Sequence, residues 1–224
     1  MTSVAKALDD IRSTLPEGVE LVAVSKFHPA EAIREAYDAG QRLFGESRTQ
    51  ELEAKMKELP ADIRWHFIGH LQTNKVRRLI ETRQVALIES VDSERLLRLI
   101  DDESARAGIV SRVLLQLHVA AEETKFGFSP DELIEFFSRK AYESLRATHI
   151  CGVMAMASNT DDTDRVRADF RLAAGTKARI SAMCPDLHGF DILSMGMSHD
   201  YPIAIEEGAT LVRVGTAIFG DRGY

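Results

Sequence analysis

Lys26 ends the segment Ala23-Val24-Ser25-Lys26, directly behind the apolar run Leu21-Val22-Ala23-Val24. A lysine at the end of a buried strand is partly desolvated. Desolvation disfavours the ammonium form and leaves an amine able to attack an aldehyde. On position alone, a surface lysine that merely ends a strand is the commoner outcome. A second group lies far along the chain: Ser198 follows Met195-Gly196-Met197, and Gly215-Thr216 follows Arg213-Val214. Small residues let backbone N–H groups approach an anion closely, and the two hydroxyls can donate further bonds. Glycines at these points could also just permit tight turns; their joint placement after two successive apolar runs favours a phosphate cup. Arg213 sits in or at the end of the apolar run Leu211–Val214, where a lone charge is costly. It points either inward, to a ligand or an acidic group, or outward into a structural ion pair, and taken by itself the structural pair is favoured.

Other reactive side chains carry weaker signals. His66, His70 and His118 come from two separate runs without a zinc spacing, and read as core or hydrogen-bonded histidines. Cys151 reads as a small buried apolar residue. The methionines around Met154 and Met195 read as core and pocket wall, and Glu122-Glu123-Thr124-Lys125 as a solvated loop.

The elements that must position these residues follow from periodicity. Val4, Ala7, Leu8, Ile11 and Leu15 recur at helical spacing, so the chain opens with an amphipathic helix, ended by Pro16 and Gly18. Eight short apolar runs follow: Leu21–Val24, Leu43–Phe44, Trp65–Ile68, Ala86–Ile88, Val113–Leu117, Ile150–Met154, Ile192–Met195 and Leu211–Val214. Runs without alternation read as strands buried on both faces, as in a parallel sheet. Helical stretches separate them: Ala30–Ala39, Gln50–Leu59, Asn74–Ile80, Glu94–Ala107, Pro130–Lys140, Asp162–Met183 and Tyr201–Glu207. Ser129-Pro130-Asp131-Glu132 is a marked helix start, with a capping serine, a proline at the first helical position and a glutamate three residues after the cap.

Strands alternating with helices imply a parallel sheet with crossover helices, either open and doubly wound or closed. Eight units in 224 residues favour the closed form: one α/β domain over residues 1–224, a (β/α)8 TIM barrel with an extra N-terminal helix. In such a barrel the loops after strands 7 and 8 often hold phosphate, which is where Ser198, Gly215 and Thr216 fall.

Composition sets the outer bounds. The 45% hydrophobic and 28% charged content is ordinary for a globular protein. A formal net charge of −7 argues against a general nucleic-acid binder. The segment Met1–Leu15 lacks a signal core and no apolar run is long enough to span a membrane. Two cysteines, Cys151 and Cys184, make no disulfide framework, so a reducing cytoplasm is the simplest location.

The ordered set of segments resembles a known family, the pyridoxal 5′-phosphate (PLP) homeostasis proteins of the YggS/PROSC type, similar in turn to the N-terminal barrel of bacterial alanine racemase. The matching segments are Ala23-Val24-Ser25-Lys26, Trp65 through Lys75, Ser90-Val91-Asp92, Lys125-Phe126-Gly127, Gly152 through Met156, Leu193 through Asp200 and Arg213 through Gly220. The resemblance implies PLP as cofactor, held by Lys26 as a Schiff base. It implies that Ser198, Gly215 and Thr216 hold the phosphate and that Arg213 faces the pyridine nitrogen. Two departures stand out. Many members have asparagine where this chain has Ser47, which puts any ring contact by that residue in doubt. Many have proline at His70, with little effect expected on the cofactor.

The resemblance also frames the function. An arginine at the ring nitrogen offers only donors, keeps that nitrogen unprotonated and weakens the electron sink. This suits a holder of PLP, or a racemase that avoids a long-lived carbanion. Racemisation needs a second acid/base group on the opposite ring face, supplied in the resembled racemases by a tyrosine of a further β-domain and partner subunit. The chain stops at Tyr224, directly after the eighth run, so that domain is expected to be absent; Tyr37, Tyr142, Tyr201 and Tyr224 sit in no motif for the role. The favoured function is therefore a PLP carrier or regulator of vitamin B6 pools, with influence on amino-acid and keto-acid levels and with PLP-dependent apoenzymes as candidate partners. The alternatives are a weak PLP-dependent amino-acid racemase and, outside PLP chemistry, a lysine Schiff-base aldolase of a sugar phosphate.

Overall fold

The computed structural model describes residues 3–120 and 126–220. The expected solvated loop Glu122-Glu123-Thr124-Lys125 and Tyr224 lie outside the described residues.

Strands β1 (Glu20–Val24), β2 (Leu43–Glu46), β3 (Arg64–Phe67), β4 (Val85–Val91), β5 (Ser111–Leu117), β6 (Thr148–Ala155), β7 (Ile192–Ser194) and β8 (Leu211–Val214) pair in parallel, in sequence order, and β8 pairs back to β1 to close a barrel. Each of the eight apolar runs forms one of these strands. Helices α1 (Val4–Arg12), α2 (Ala30–Asp38), α3 (Thr49–Glu58), α4 (Val76–Glu81), α5 (Glu94–Ala107), α6 (Pro130–Ser138), α7 (Thr163–Met183), α8 (Tyr201–Glu206) and α9 (Thr216–Phe219) accompany them.

The strands lack alternation because both faces are covered. Their inward residues Val22, Leu43, Leu87, Leu114 and Leu211 gather with Cys151 and Met154 into one buried cluster. Their outward residues, among them Ala23, Phe44, Trp65, Ile88, Val153 and Val212, join Leu8, Ile33, Leu52, Leu97, Phe137 and Phe170 from the helices in a second. Burying each such side chain contributes about 1.5–3 kcal/mol relative to exposure.

Boundaries depart from the sequence reading where polar side chains decide them. Strand β2 runs on to Glu46 and β4 to Val91, past Glu89 and Ser90, because these polar residues are buried and the ladder continues through them. Helix α1 stops at Arg12 rather than Leu15; the Ser13 and Thr14 hydroxyls turn back onto the carbonyls of Asp10 and Ile11. The helix expected from Asn74 opens instead as a 3-10 turn, Thr73–Lys75, leading into α4. Helix α9 and a 3-10 turn at Ala141–Ser144 are additions; four residues are too few to show a period. The Ser129 start is as expected: the Ser129 hydroxyl accepts the Glu132 N–H at 3.2 Å, and Glu132 accepts the Ser129 N–H at 2.7 Å. Among the described residues no helix is long and apolar enough to cross a membrane.

Candidate functional site

At the C-terminal end of the barrel is a cavity of about 260 Å³. Its polar lining is Lys26, His28, Ser198, His199, Arg213, Gly215 and Thr216; its apolar wall is Val24, Ile68, Met154, Met156 and Met197. All five residues singled out from the sequence, Lys26, Ser198, Arg213, Gly215 and Thr216, therefore border one space. They come from opposite ends of the chain and meet because β8 closes onto β1, where Val22 pairs with Arg213.

Lys26 lies two residues beyond β1 and is half-buried. Its neighbours are held from outside the barrel. The Lys55 ammonium of α3, itself buried, donates to the Ser25 carbonyl at 2.8 Å, to Glu46 Oε1 at 2.7 Å and to Glu51 Oε1 at 2.6 Å. The Ser25 hydroxyl donates to the same Glu46 oxygen, and the Phe27 N–H donates to Glu51 Oε1, both at 2.6 Å. Phe27 has φ of +68°, a left-handed conformation that a bulky side chain rarely adopts without such anchoring. Burial pushes the Glu46 carboxyl up, against the opposing pull of Lys55 and Ser25.

Across the cavity, the Ser198 hydroxyl accepts the backbone N–H groups of Gly215 at 3.3 Å and Ala217 at 3.4 Å. Two backbone donors from the turn into α9 thus converge beside two hydroxyls, those of Ser198 and Thr216. Two glycines make this approach possible. A Cβ on Gly215 would lie 3.2 Å from both the Cβ and the carbonyl oxygen of Val24. Gly196 has φ of +91°, and a Cβ there would meet that of Ala204 at 2.6 Å. The Gly196 carbonyl accepts the Arg213 N–H at 3.0 Å, tying the two loops together. The His28 ring stacks on Phe219 of α9 with centroids 5.0 Å apart, so the Lys26 turn also touches this helix.

Arg213 resolves an alternative that the sequence left open. It points inward, and it is also ion-paired: Glu89 Oε2 lies 3.6 Å from its guanidinium. It donates to the Ser194 hydroxyl and, at 2.9 Å, to the Ala155 carbonyl. Ser194 in turn donates to Glu89 Oε2 at 2.6 Å, and His66 Nδ1 lies 2.6 Å from Glu89 Oε1. Burial alone would raise the Glu89 carboxyl; the His66 bond, the Arg213 charge and the Ser194 bond outweigh it and hold the carboxyl below its usual range. Burial pushes the Arg213 guanidinium down while Glu89 and Asp200 oppose that shift. A guanidinium remains charged in proteins, so the cavity has a fixed cation in its lining.

The weaker expectations also have positions. His66 is a buried, hydrogen-bonded residue inside the barrel; His70 pairs with Asp92 at 3.0 Å and stacks on Phe126 at 4.0 Å. Cys151 is fully buried in the inner cluster. Met154, Met156 and Met197 form cavity wall, and Met195 belongs to the outer core. Sequence reasoning missed Glu89 and Ser194 as partners of Arg213, the cavity positions of His28 and His199, and the Lys55 clamp. A signal for the first pair was present: Leu87-x-Glu89, Ile192-x-Ser194 and Leu211-x-Arg213 share the inward parity of their strands. Lys55 had one too, since Leu52, Lys55 and Leu59 fall on one buried helical stripe.

A family model described as the N-terminal domain of alanine racemase matches residues 2–223. Curated relatives include the pyridoxal phosphate homeostasis protein of Schizosaccharomyces pombe, 36% identical over 99% of this chain and 94% of its own length. The protein of the same name from Aquifex aeolicus is 40% identical over 92% and 88%. The chain belongs to this pyridoxal phosphate homeostasis family. A solved member, PipY of Synechococcus elongatus PCC7942, has been determined without PLP (TM-score 0.91, 41% identity, 97% of this chain and all of that one) and with PLP bound (TM-score 0.87, 40% identity, the same coverage). Alanine racemase of Clostridium difficile 630 shares the barrel at 15% identity, with a TM-score of 0.76 over 98% of this chain and 56% of its own; that likeness concerns the fold alone. Within the family framework, Ser47 lies in a separate depression beside Arg48, His70 and Lys75 rather than in the lining of the main cavity.

Proposed function

We propose that this protein binds PLP in the cavity at the C-terminal end of the barrel, covalently through Lys26, and serves as a holder of PLP in vitamin B6 homeostasis. The observation that carries the reading is that one small cavity collects an amine, a cluster of anion donors and a fixed cation against an apolar wall. The residues fit the group. Ser198, Thr216 and the Gly215 and Ala217 amides offer donors to a phosphate. Met154, Met156, Ile68 and Val24 offer flat apolar contact to a ring. PLP binding by PipY, at 40% identity over nearly the whole chain, supports the same reading.

PLP, when bound, supplies an aldehyde that couples to amines and a ring that can draw off electrons. The chain's own residues determine how far that chemistry goes. Lys26 presents its amine from a turn fixed on both sides. Arg213 faces the ring nitrogen in this reading and donates only, so no proton is placed on that nitrogen and the ring stays a weak electron sink. Among the described residues no tyrosine lines the cavity: the Tyr37 hydroxyl donates to Asp62, Tyr142 packs on Phe137, and the Tyr201 hydroxyl lies 3.1 Å from that of Thr14. These features favour a holder over a racemase.

PLP-dependent apoenzymes are the proposed recipients, and a reducing cytoplasm the proposed location; the latter agrees with Cys151 and Cys184 both being free thiols. The binding test is a visible spectrum of the purified chain with PLP, before and after borohydride. The reading expects an absorbance band distinct from free PLP that borohydride removes while the label stays on the protein. A spectrum equal to the sum of protein and free PLP would overturn it.

A further inference from the structure

The ionic cluster behind Lys26 is not needed to bind a phosphate or a ring. It lies outside the barrel wall, between β2 and α3, and Lys55, Glu46 and Glu51 are not among the residues that line the cavity. Lys55 uses all three of its donors there, on Ser25, Glu46 and Glu51. Every one of those bonds ends on a residue beside Lys26 or on a carboxylate that holds such a residue: Ser25 on one side through its carbonyl and hydroxyl, Phe27 on the other through its N–H. Such a cluster is an unusual choice for packing alone. Lys55 and Glu46 are almost wholly removed from water, at 7% and 0% side-chain exposure. Glu46 Oε2 is buried with no hydrogen-bond partner. Well-packed apolar residues of similar volume are often as stable as a buried ion pair or more so, so burial energy does not account for it. What the cluster does achieve is to fix the backbone on both sides of one residue, including the left-handed φ of +68° at Phe27.

We propose that Lys55, Glu46 and Glu51 are positioning residues for Lys26: they hold the 25–27 turn in the one conformation that aims the Lys26 amine into the cavity, and so govern the covalent part of PLP retention and not the phosphate part. This rests on Lys26 being the covalent anchor. Lys55 itself is not an alternative anchor, because its three donors are occupied and it lies outside the cavity lining.

The test compares PLP with pyridoxine 5′-phosphate, which has the same ring and phosphate but an alcohol in place of the aldehyde. Both affinities are measured by equilibrium titration for the unaltered chain, Lys55→Met, Glu51→Ala and Glu51→Gln. Glu51→Gln keeps an oxygen to accept the Phe27 N–H. The expected result is a loss of tenfold or more in PLP affinity for Lys55→Met and Glu51→Ala, with less than a twofold change for pyridoxine 5′-phosphate, and substantial recovery in Glu51→Gln. Should Lys55→Met not fold, the Glu51 pair decides alone. Equal losses for the two ligands, or no loss of PLP affinity in folded variants, would overturn the positioning role while leaving Lys26 as anchor. An unaltered chain that binds both ligands equally, with no borohydride-stable label on Lys26, would overturn the anchor and the positioning role together.

Discussion

Lys26 and Ser198 separate two kinds of contact that single substitutions can distinguish. Lys26 lies in a turn at the cavity rim, beyond the last hydrogen-bonded residue of β1, so Lys26→Ala removes an amine without opening a core void. The expected outcome is loss of the covalent PLP band with an unfolding midpoint close to that of the parent; an intact band in purified Lys26→Ala contradicts the assignment. Ser198→Ala and Thr216→Val each remove a hydroxyl beside the proposed phosphate position. Hydrogen bonds to charged groups contribute about 1.5–3 kcal/mol, so PLP affinity is expected to fall by roughly 10- to 150-fold while pyridoxal affinity falls much less. Ser198→Ala also deprives the Gly215 and Ala217 amides of their shared acceptor, so it should be the more damaging of the two in the ligand-free protein. Equal losses for PLP and pyridoxal would show that neither hydroxyl reads the phosphate. At this scale much of the candidate site was legible, because reactive types stood next to strand ends. Glu89, Ser194 and Lys55 were not found: strand parity and a helical stripe put them on buried faces, but the partners that make a buried charge or hydroxyl tolerable are known only from neighbours in space.

Elements are where periodicity spoke most clearly. All eight apolar runs became strands, since a strand buried on both faces leaves a continuous apolar stretch. The ends were less legible: β2 and β4 continue through Glu46 and Glu89 because buried partners from distant elements reach one oxygen of Glu46 and both oxygens of Glu89, a long-range fact with no local trace. The capping of α6 was fully local, and it carries a prediction. Ser129→Ala is expected to cost about 1 kcal/mol, within the usual 0.5–2 for a lost N-cap, measured by urea denaturation. The Glu132 carboxyl is held below its usual range, first by the Ser129 backbone N–H and then by the Ser129 side chain. Its folded pKa is therefore below its unfolded one, so the stability it contributes is present above the unfolded carboxylate value of about 4.3 and is lost as pH falls through the folded value. The stability difference between the parent and Glu132→Gln should be constant from pH 7 to 5 and shrink at lower pH. A difference that grows on acidification contradicts the capping geometry.

At the scale of the whole molecule, barrel closure creates the site. Lys26 follows β1, while Ser198, Gly215 and Thr216 follow β7 and β8; only the pairing of β8 with β1 brings them to one cavity. An open sheet with the same elements would have left them apart, and the choice between the two forms rested on length and the count of units. The cavity as a whole lacks a tyrosine in its described lining, and the proposed place of Arg213 at the ring nitrogen would keep a bound PLP ring a weak electron sink. The expected outcome is that chiral chromatography finds no conversion of L-alanine to D-alanine at rates near the enzyme median of about 10 per second. Fast, Lys26-dependent formation of D-alanine would move the protein from holder to racemase, and would direct attention to His28 and His199, the cavity's ionisable side chains besides Lys26 and Arg213 among the described residues.

The central claim is that one lysine of this chain is the covalent seat of PLP. Borohydride reduction of the PLP-loaded protein, followed by proteolysis and mass mapping of every lysine, tests it most directly. The account predicts a stable pyridoxyl phosphate label on Lys26, at close to one per chain, and none at Lys55. A label on Lys55, Lys75 or another lysine with Lys26 unmodified, or no label at all, would contradict it.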